Sequence, residues 1–269
     1  MTNASIQLLT SALERRVVEV SLPKEETLAR RQDICSTLLS QSRYLREPNF
    51  TCIHPDDLDF LFREYDRLFF EGWLGKSVSV PGRDLSFRLS SRMTKVGGTT
   101  THRRLRGRFP GRGQPVDSYE IAVSTTLLYQ TFDGLDHRPI VVCGSECSHR
   151  LDALLRIFEH ELIHLAELML WNDSKCSESR FQSLAFRLFS HTGHTHALIT
   201  PRERALVQYD VRPGDRVRFP FDGETLCGVV NRITRRATIL VEHPGGERYS
   251  DGRRYRKYFV PLPVLERVG

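Results

Sequence analysis

The chain has 269 residues, with 39 Lys and Arg against 33 Asp and Glu and a formal net charge of +6. That length suits one large domain with a small one, or two of middling size, and the mild positive charge permits a polyanionic partner without establishing one. No apolar run approaches twenty residues, and Ile6-Gln7-Leu8-Leu9 soon meets Glu14, Arg15 and Arg16. These features argue against a membrane span and a signal peptide. Six cysteines without a C-x-x-C pair point to reduced thiols and a cytoplasmic setting.

In chain order, residues 4–20 and 25–45 read as two helices, with Leu28, Cys35, Leu38, Leu39 and Leu45 near one face of the second. Pro48 closes that region. Pro55-Asp56-Asp57 starts a third helix, which runs through Leu58, Leu61, Phe62, Tyr65, Leu68 and Phe69 to a stop at Gly72. From Val78 the period changes: Leu85-Ser86-Phe87-Arg88-Leu89 alternates as a half-buried strand does. Gly97-Gly98 bends the chain, Arg103, Arg104, Arg106, Arg108 and Arg112 read as an arginine-rich loop, and Tyr119–Val123 reads as another strand. Ser124 can cap a short helix. Cys143 and Cys147, with His149, offer donors for a metal, yet their surroundings read as an ordinary strand end.

Leu151 to Trp171 contains no Gly or Pro, and its apolar residues recur every three or four positions. Inside it stands His160-Glu161-Leu162-Ile163-His164. Histidines four apart share a helix face, so both imidazoles can reach one ion, and the intervening glutamate can work on a water without ligating the metal. Ser177 can cap the next helix, with Phe181, Leu184, Ala185 and Leu188 inward. Beyond Pro201, short alternating segments and tight turns at Pro213-Gly214, Asp222-Gly223 and Pro244-Gly245-Gly246 suggest a small SH3-like barrel. Arg253, Arg254, Arg256 and Lys257 interleave there with Tyr255 and Tyr258.

The order of these pieces over residues 55–200 resembles the SprT-like zinc metallopeptidase family, which includes proteases of DNA–protein crosslink repair. The likeness rests on Tyr65-Asp66-Arg67-Leu68-Phe69-Phe70, Arg92–Gly98, Glu120–Ser124 with Leu127-Leu128, His160–His164, and the helix bearing Phe181. The segment from Gly214-Asp215-Arg216 to Ala237-Thr238 is similar to barrel modules that some bacterial members append. The resemblance implies an α+β, zincin-like domain over residues 49–204, behind an N-terminal helical extension (1–48) and ahead of an SH3-like β-barrel (205–269). It also implies zinc held by His160 and His164, with Glu161 as general base.

One feature departs from the family, which supplies a third histidine just before the following helix. Here Ser177 falls at that place, and we assign the third ligand to its neighbour Cys176, ahead of Glu178 and of a folded-back His191, His194 or His196. Glu167 reads as an acceptor orienting an imidazole. The expected activity is that of a zinc-dependent endopeptidase acting on DNA-associated proteins, with Arg103, Arg104, Arg106, Arg235, Arg236, Arg253 and Arg254 contacting nucleic acid. The second reading is a nucleic-acid-binding protein whose zinc site is structural or vestigial.

Overall fold

The structure, a computed structural model, describes residues 3–105, 116–135 and 137–268. The chain is mixed α+β and separates into two compact units, Met1–Phe132 with Asp136–Leu198, and Ile199–Gly269 with Asp133–Leu135. No helix among the described residues is long and apolar enough to cross a membrane.

Helices α1 (Asn3–Glu19) and α2 (Lys24–Gln41) belong to the first unit rather than to a separate extension. Leu13, Val17, Ile34 and Leu38 are fully enclosed, and Leu22 N–H donates to Arg187 O at 2.8 Å. Helix α3 (Pro55–Phe69) opens with Pro55 in its first turn. His54 and Asp57 cap it reciprocally, and Leu58, Leu61, Tyr65 and Phe69 face the core. The helix ends at Phe69, just short of the expected stop, and Gly72 (φ +77°) makes a left-handed link into a short α4 (Trp73–Val78), in which Leu74 and Gly75 N–H donate to the Asp66 carboxylate.

Strand β1 (Arg83–Ser90) lies parallel to β3 (Val116–Ser124), and β2 (Gly98–Leu105) pairs antiparallel with β3 as the edge of a β1-β3-β2 sheet. The arginine-rich stretch is thus corrected at its start: Arg103 and Arg104 are strand residues opposite Ser118 and Asp117. Arg106, Arg108 and Arg112 lie outside the described residues. Ser124 Oγ accepts from Leu127 N–H and caps α5 (Thr125–Thr131), as its sequence suggests. Next come β4 (Val141–Val142), β5 (Ser145–Glu146), α6 (Arg150–Trp171), α7 (Ser179–Phe189) and β6 (His196–Ala197), with the three short strands in the order β5-β4-β6. Ser177 does not cap α7. Glu178 holds the N-cap position, with no side-chain bond to the helix.

In the second unit, α8 (Pro201–Tyr209) begins with a Thr200–Glu203 capping box. That helix moves the boundary from 204/205 to 198/199. β7 (Arg216–Phe221), β8 (Glu224–Ile233), β9 (Ala237–Arg248), β10 (Arg254–Val260) and β11 (Glu266–Arg267) form one antiparallel sheet ordered β10-β9-β8-β7-β11. Its inner face gathers Val217, Phe219, Val230, Ile239 and Val260 with Ala205 of α8. Asp222 and Gly223 make the expected two-residue hairpin, both at positive φ. Pro244-Gly245-Gly246 is no turn, for β9 continues through it. The register against β10 jumps between Arg254 and Tyr255, and Gly246 lies so close to the Tyr255 backbone that a Cβ would sit 2.4 Å from its carbonyl.

Candidate metal centre

Helix α6 is enclosed along most of its length, so the polar groups it carries inward need partners. His149 caps its start by accepting from Asp152 N–H, and Asn172 ends it in the left-handed conformation. One turn apart, His160 and His164 bring their Nε2 atoms to 3.1 Å. The partners fix the tautomer of His164. Ser174 Oγ donates to Glu167 Oε2 at 2.6 Å, so at its 2.6 Å contact with His164 Nδ1 it accepts. His164 Nδ1 therefore carries the proton and Nε2 presents its lone pair. Arg180 Nε donates to the other oxygen of Glu167 at 2.7 Å and fixes the relay from outside. Burial lowers the His164 pKa to about 4. His160 is driven lower still, by burial first and then by the neighbouring His196 and His164. Both imidazoles are therefore neutral near pH 7 and able to ligate.

Cys176, half-buried between α6 and α7, completes a group in which its sulfur and one nitrogen each of His160 and His164 lie within 4.8 Å of one another. Burial raises the thiol above its ordinary pKa, so an arriving cation must displace its proton. Glu178 points to other work, accepting from Lys175 Nζ at 2.9 Å on the surface. His194 meets Gln182 Nε2 at 3.3 Å. Glu167 serves His164 through Ser174, a link absent from the sequence reading. Removing that link with Ser174→Ala is expected to weaken zinc affinity by about 10- to 100-fold, read by chelator competition; unchanged affinity would refute the relay.

Glu161 is 1% exposed, and its carboxylate faces the same cleft. Thr100 on β2 donates to Glu161 Oε2 at 2.9 Å and lies 3.0 Å from its carbonyl. Burial raises the carboxyl pKa to about 8, against a smaller opposing pull from the Thr100 hydroxyl. Among the described residues no cationic side chain offsets the charge of this enclosed carboxyl, and a cation on the adjacent imidazoles would favour ionisation. Gly98 permits this approach: a Cβ there would stand 2.6 Å from Glu161 Oε1. The cleft, about 680 Å³, is lined along one side by Gly98, Thr99, Thr100 and His102 of β2.

Cys143 and His196 also gather at His160, a grouping different from either role the sequence suggested for them. His196 on β6 pairs with Val142 of β4, and its ring centroid is 4.5 Å from that of His160. Cys143 Sγ is 3.7 Å from His160 Nδ1. Its supposed companions are elsewhere: Cys147 Sγ contacts Ser145 O, and His149 caps α6. All six cysteines are free thiols.

The basic residues belong to both units. Arg103 and Arg104 are exposed on β2, and Arg106 is outside the described residues. In the second unit, Arg235 and Arg236 are exposed in the link between β8 and β9, without an acidic partner among the described residues. Arg253 pairs with Glu242 at 3.4 Å, and Arg254 donates to Gly246 O at 3.0 Å. Of the tyrosines beside them, Tyr258 packs on Phe219 and Phe221, while Tyr249 and Tyr255 meet edge to face at 5.3 Å.

No known protein family, curated protein or solved structure matches the chain. The donor chemistry itself fits zinc: two neutral imidazoles and one sulfur converge beside a buried carboxyl that a cation would stabilise.

Proposed function

We propose that the chain is a zinc-dependent endopeptidase of SprT-like type, acting on DNA-associated proteins in the cytoplasm. The observation that carries this reading is the position of Glu161, enclosed in one cleft with the His160, His164 and Cys176 donors but not among them. Three converging donors are the number that leaves a zinc coordination position open, whereas a purely structural site closes with four. Bound there, zinc would supply Lewis acidity toward a carbonyl oxygen and an attacking water. Glu161 would take the proton of that water and return it to the leaving amine. Thr100 would hold the carboxylate in place, and Glu167 with Ser174 would keep His164 in the ligating tautomer. The second unit, which we read as an SH3-like barrel, would tether the enzyme to nucleic acid. Residues 199–269 carry fourteen Lys and Arg against nine Asp and Glu.

Glu161→Gln tests the chemistry. With casein or histones as substrate, it should lower turnover by about 10²- to 10⁴-fold while zinc content stays at the wild-type level. Parallel loss of metal would make Glu161 a ligand, and undiminished turnover would reject the mechanism. The tether is tested by salt. Affinity for DNA should fall steeply as salt rises, and removing Arg235 and Arg236 together should flatten the slope by about two counterions. Absence of DNA affinity at low salt would leave a peptidase without a tether.

A further inference from the structure

His160 offers two ring nitrogens, and metal-ligating side chains stand at both. Nε2 faces His164 at 3.1 Å; Nδ1 faces the Cys143 sulfur at 3.7 Å. One donor atom each of Cys143, His160 and His196 lie within 4.8 Å of one another, with the Cys143 sulfur on the Nδ1 side of His160. The backbone takes trouble to place this sulfur. Cys143 and Gly144 form the two-residue turn between β4 and β5, both left-handed, at φ 53° and 80°. Asn or Gly is the usual occupant of the first such position, and a cysteine there bears strain. Gly144 is packed so tightly on Thr192 and Gly193 that a Cβ would come within 2.2 Å of Thr192 Oγ1. Cys143 N–H donates to Thr195 O at 2.9 Å, which ties the turn to the strand carrying His196. His196 Nδ1 abuts Gly97, where a Cβ would stand 3.0 Å away, and its Nε2 is buried with no hydrogen-bond partner.

We propose that Cys143, His160 and His196 form a second binding position for a thiophilic d¹⁰ ion, of which Zn²⁺ is the commonest. The donor set is soft and borderline, one sulfur and two imidazoles, which favours zinc or monovalent copper over magnesium or calcium. An ion here gives the orphaned His196 nitrogen a partner and turns a neutral buried thiol into a ligand. When the position built on His164 and Cys176 is also filled, the His160 ring bridges the two ions. Filling it then releases two protons, one from the Cys143 thiol and the last N–H proton of His160. The second position stands whether or not the cleft hydrolyses peptides.

Cobalt tests it on the full-length chain, because a Co²⁺–thiolate bond absorbs in the near ultraviolet whatever the activity. The metal-free wild type should take two equivalents. A His164→Ala, Cys176→Ser variant should keep one equivalent and a thiolate band, and Cys143→Ser added to it should abolish both. His196→Gln, close in size to the native side chain, should reduce the otherwise wild-type chain to one equivalent while the Cys176 band persists. A wild type that takes one equivalent, with a thiolate band indifferent to Cys143→Ser, overturns the proposal. Failure of the peptidase site appears separately, as a wild-type background in which Cys176→Ser changes neither stoichiometry nor spectrum.

Discussion

Replacing Arg31 with methionine is expected to cost about 3–5 kcal/mol of stability, the range for stripping one partner from an enclosed ion pair. Glu159, the residue before His160, is fully buried. Arg31 grips it with Nε at 2.6 Å and Nη2 at 3.1 Å, and the same Nη2 reaches Phe189 O at 3.0 Å. Tyr65 Oη donates to Glu159 Oε1 at 2.9 Å, and His191 Nε2 lies 2.8 Å from Oε2. Against a large desolvation penalty, Arg31 and then His191 hold the carboxyl at about 2. Methionine would fill the volume and leave the carboxylate with two neutral donors. Urea unfolding of Arg31→Met, Glu159→Gln and the double variant measures the pair directly. The double variant should recover much of the loss, since removing both charges removes the desolvation cost. A single-variant loss under about 1 kcal/mol would show that the interior tolerates the lone carboxylate, contrary to this account.

Acid should unfold the metal-free protein over an unusually high window, from about pH 6.5 to about 4. Burial lowers His164 and His196 to about 4, the latter with help from His191 and His164. The sign follows from linkage. Below pH 6.5 the unfolded chain binds protons at these positions, while the folded chain stays neutral until about pH 4. The histidine contribution is therefore complete above the window and declines across it, by at most about 3 kcal/mol per histidine, while the Glu161 carboxyl, raised from 4.5 to about 8, opposes the two histidines together with a smaller gain as pH falls between those values. Glu159 contributes little change there, because its depressed pKa of about 2 keeps the carboxylate charged until far lower pH. Zinc should move the decline to lower pH, because protons must then compete with the ion for imidazole nitrogens. Urea midpoints of the metal-free and zinc-loaded forms across pH 4–8 measure both shifts. A metal-free Glu161→Gln curve, free of the opposing carboxyl, that is flat across this window would mean the histidines take up protons in the folded state.

The sequence was legible where chemistry is local. The period of Leu151–Trp171, the cap at Ser124, the proline start of α3 and the Asp222-Gly223 hairpin each rest on neighbours within a turn or two. The misread places depend on contacts the local pattern does not encode. β2 runs through Thr99-Thr100-Thr101-His102-Arg103-Arg104, and an edge strand beside a polar cleft has no need of the apolar alternation that marks β1. β9 passes Pro244-Gly245-Gly246 because a bulge absorbs residues that elsewhere make a turn. Thr200-Pro201-Arg202-Glu203 did carry a helix-start signal. The centre divides in the same way: His160, Glu161 and His164 come from one motif, and Cys176 from its nearby connection. Thr100, Cys143 and His196 arrive through strand pairing and packing, which no spacing rule reveals.

The three-stranded β5-β4-β6 sheet also sets an order of events. His160 and His164 come together whenever the α6 segment winds, an event that takes about a microsecond or less in isolated helices. His196 reaches Cys143 only after β6 has closed a loop of more than fifty residues back onto β4, around α6 and α7. Such a closure is slower and carries a larger entropy cost. A newly made chain therefore owns its imidazole pair before it owns the rest of the centre. On the proposed zinc reading, metal captured early by that pair would meet the later donors as the sheet forms, and ion supply during synthesis would then be part of how the centre is assembled.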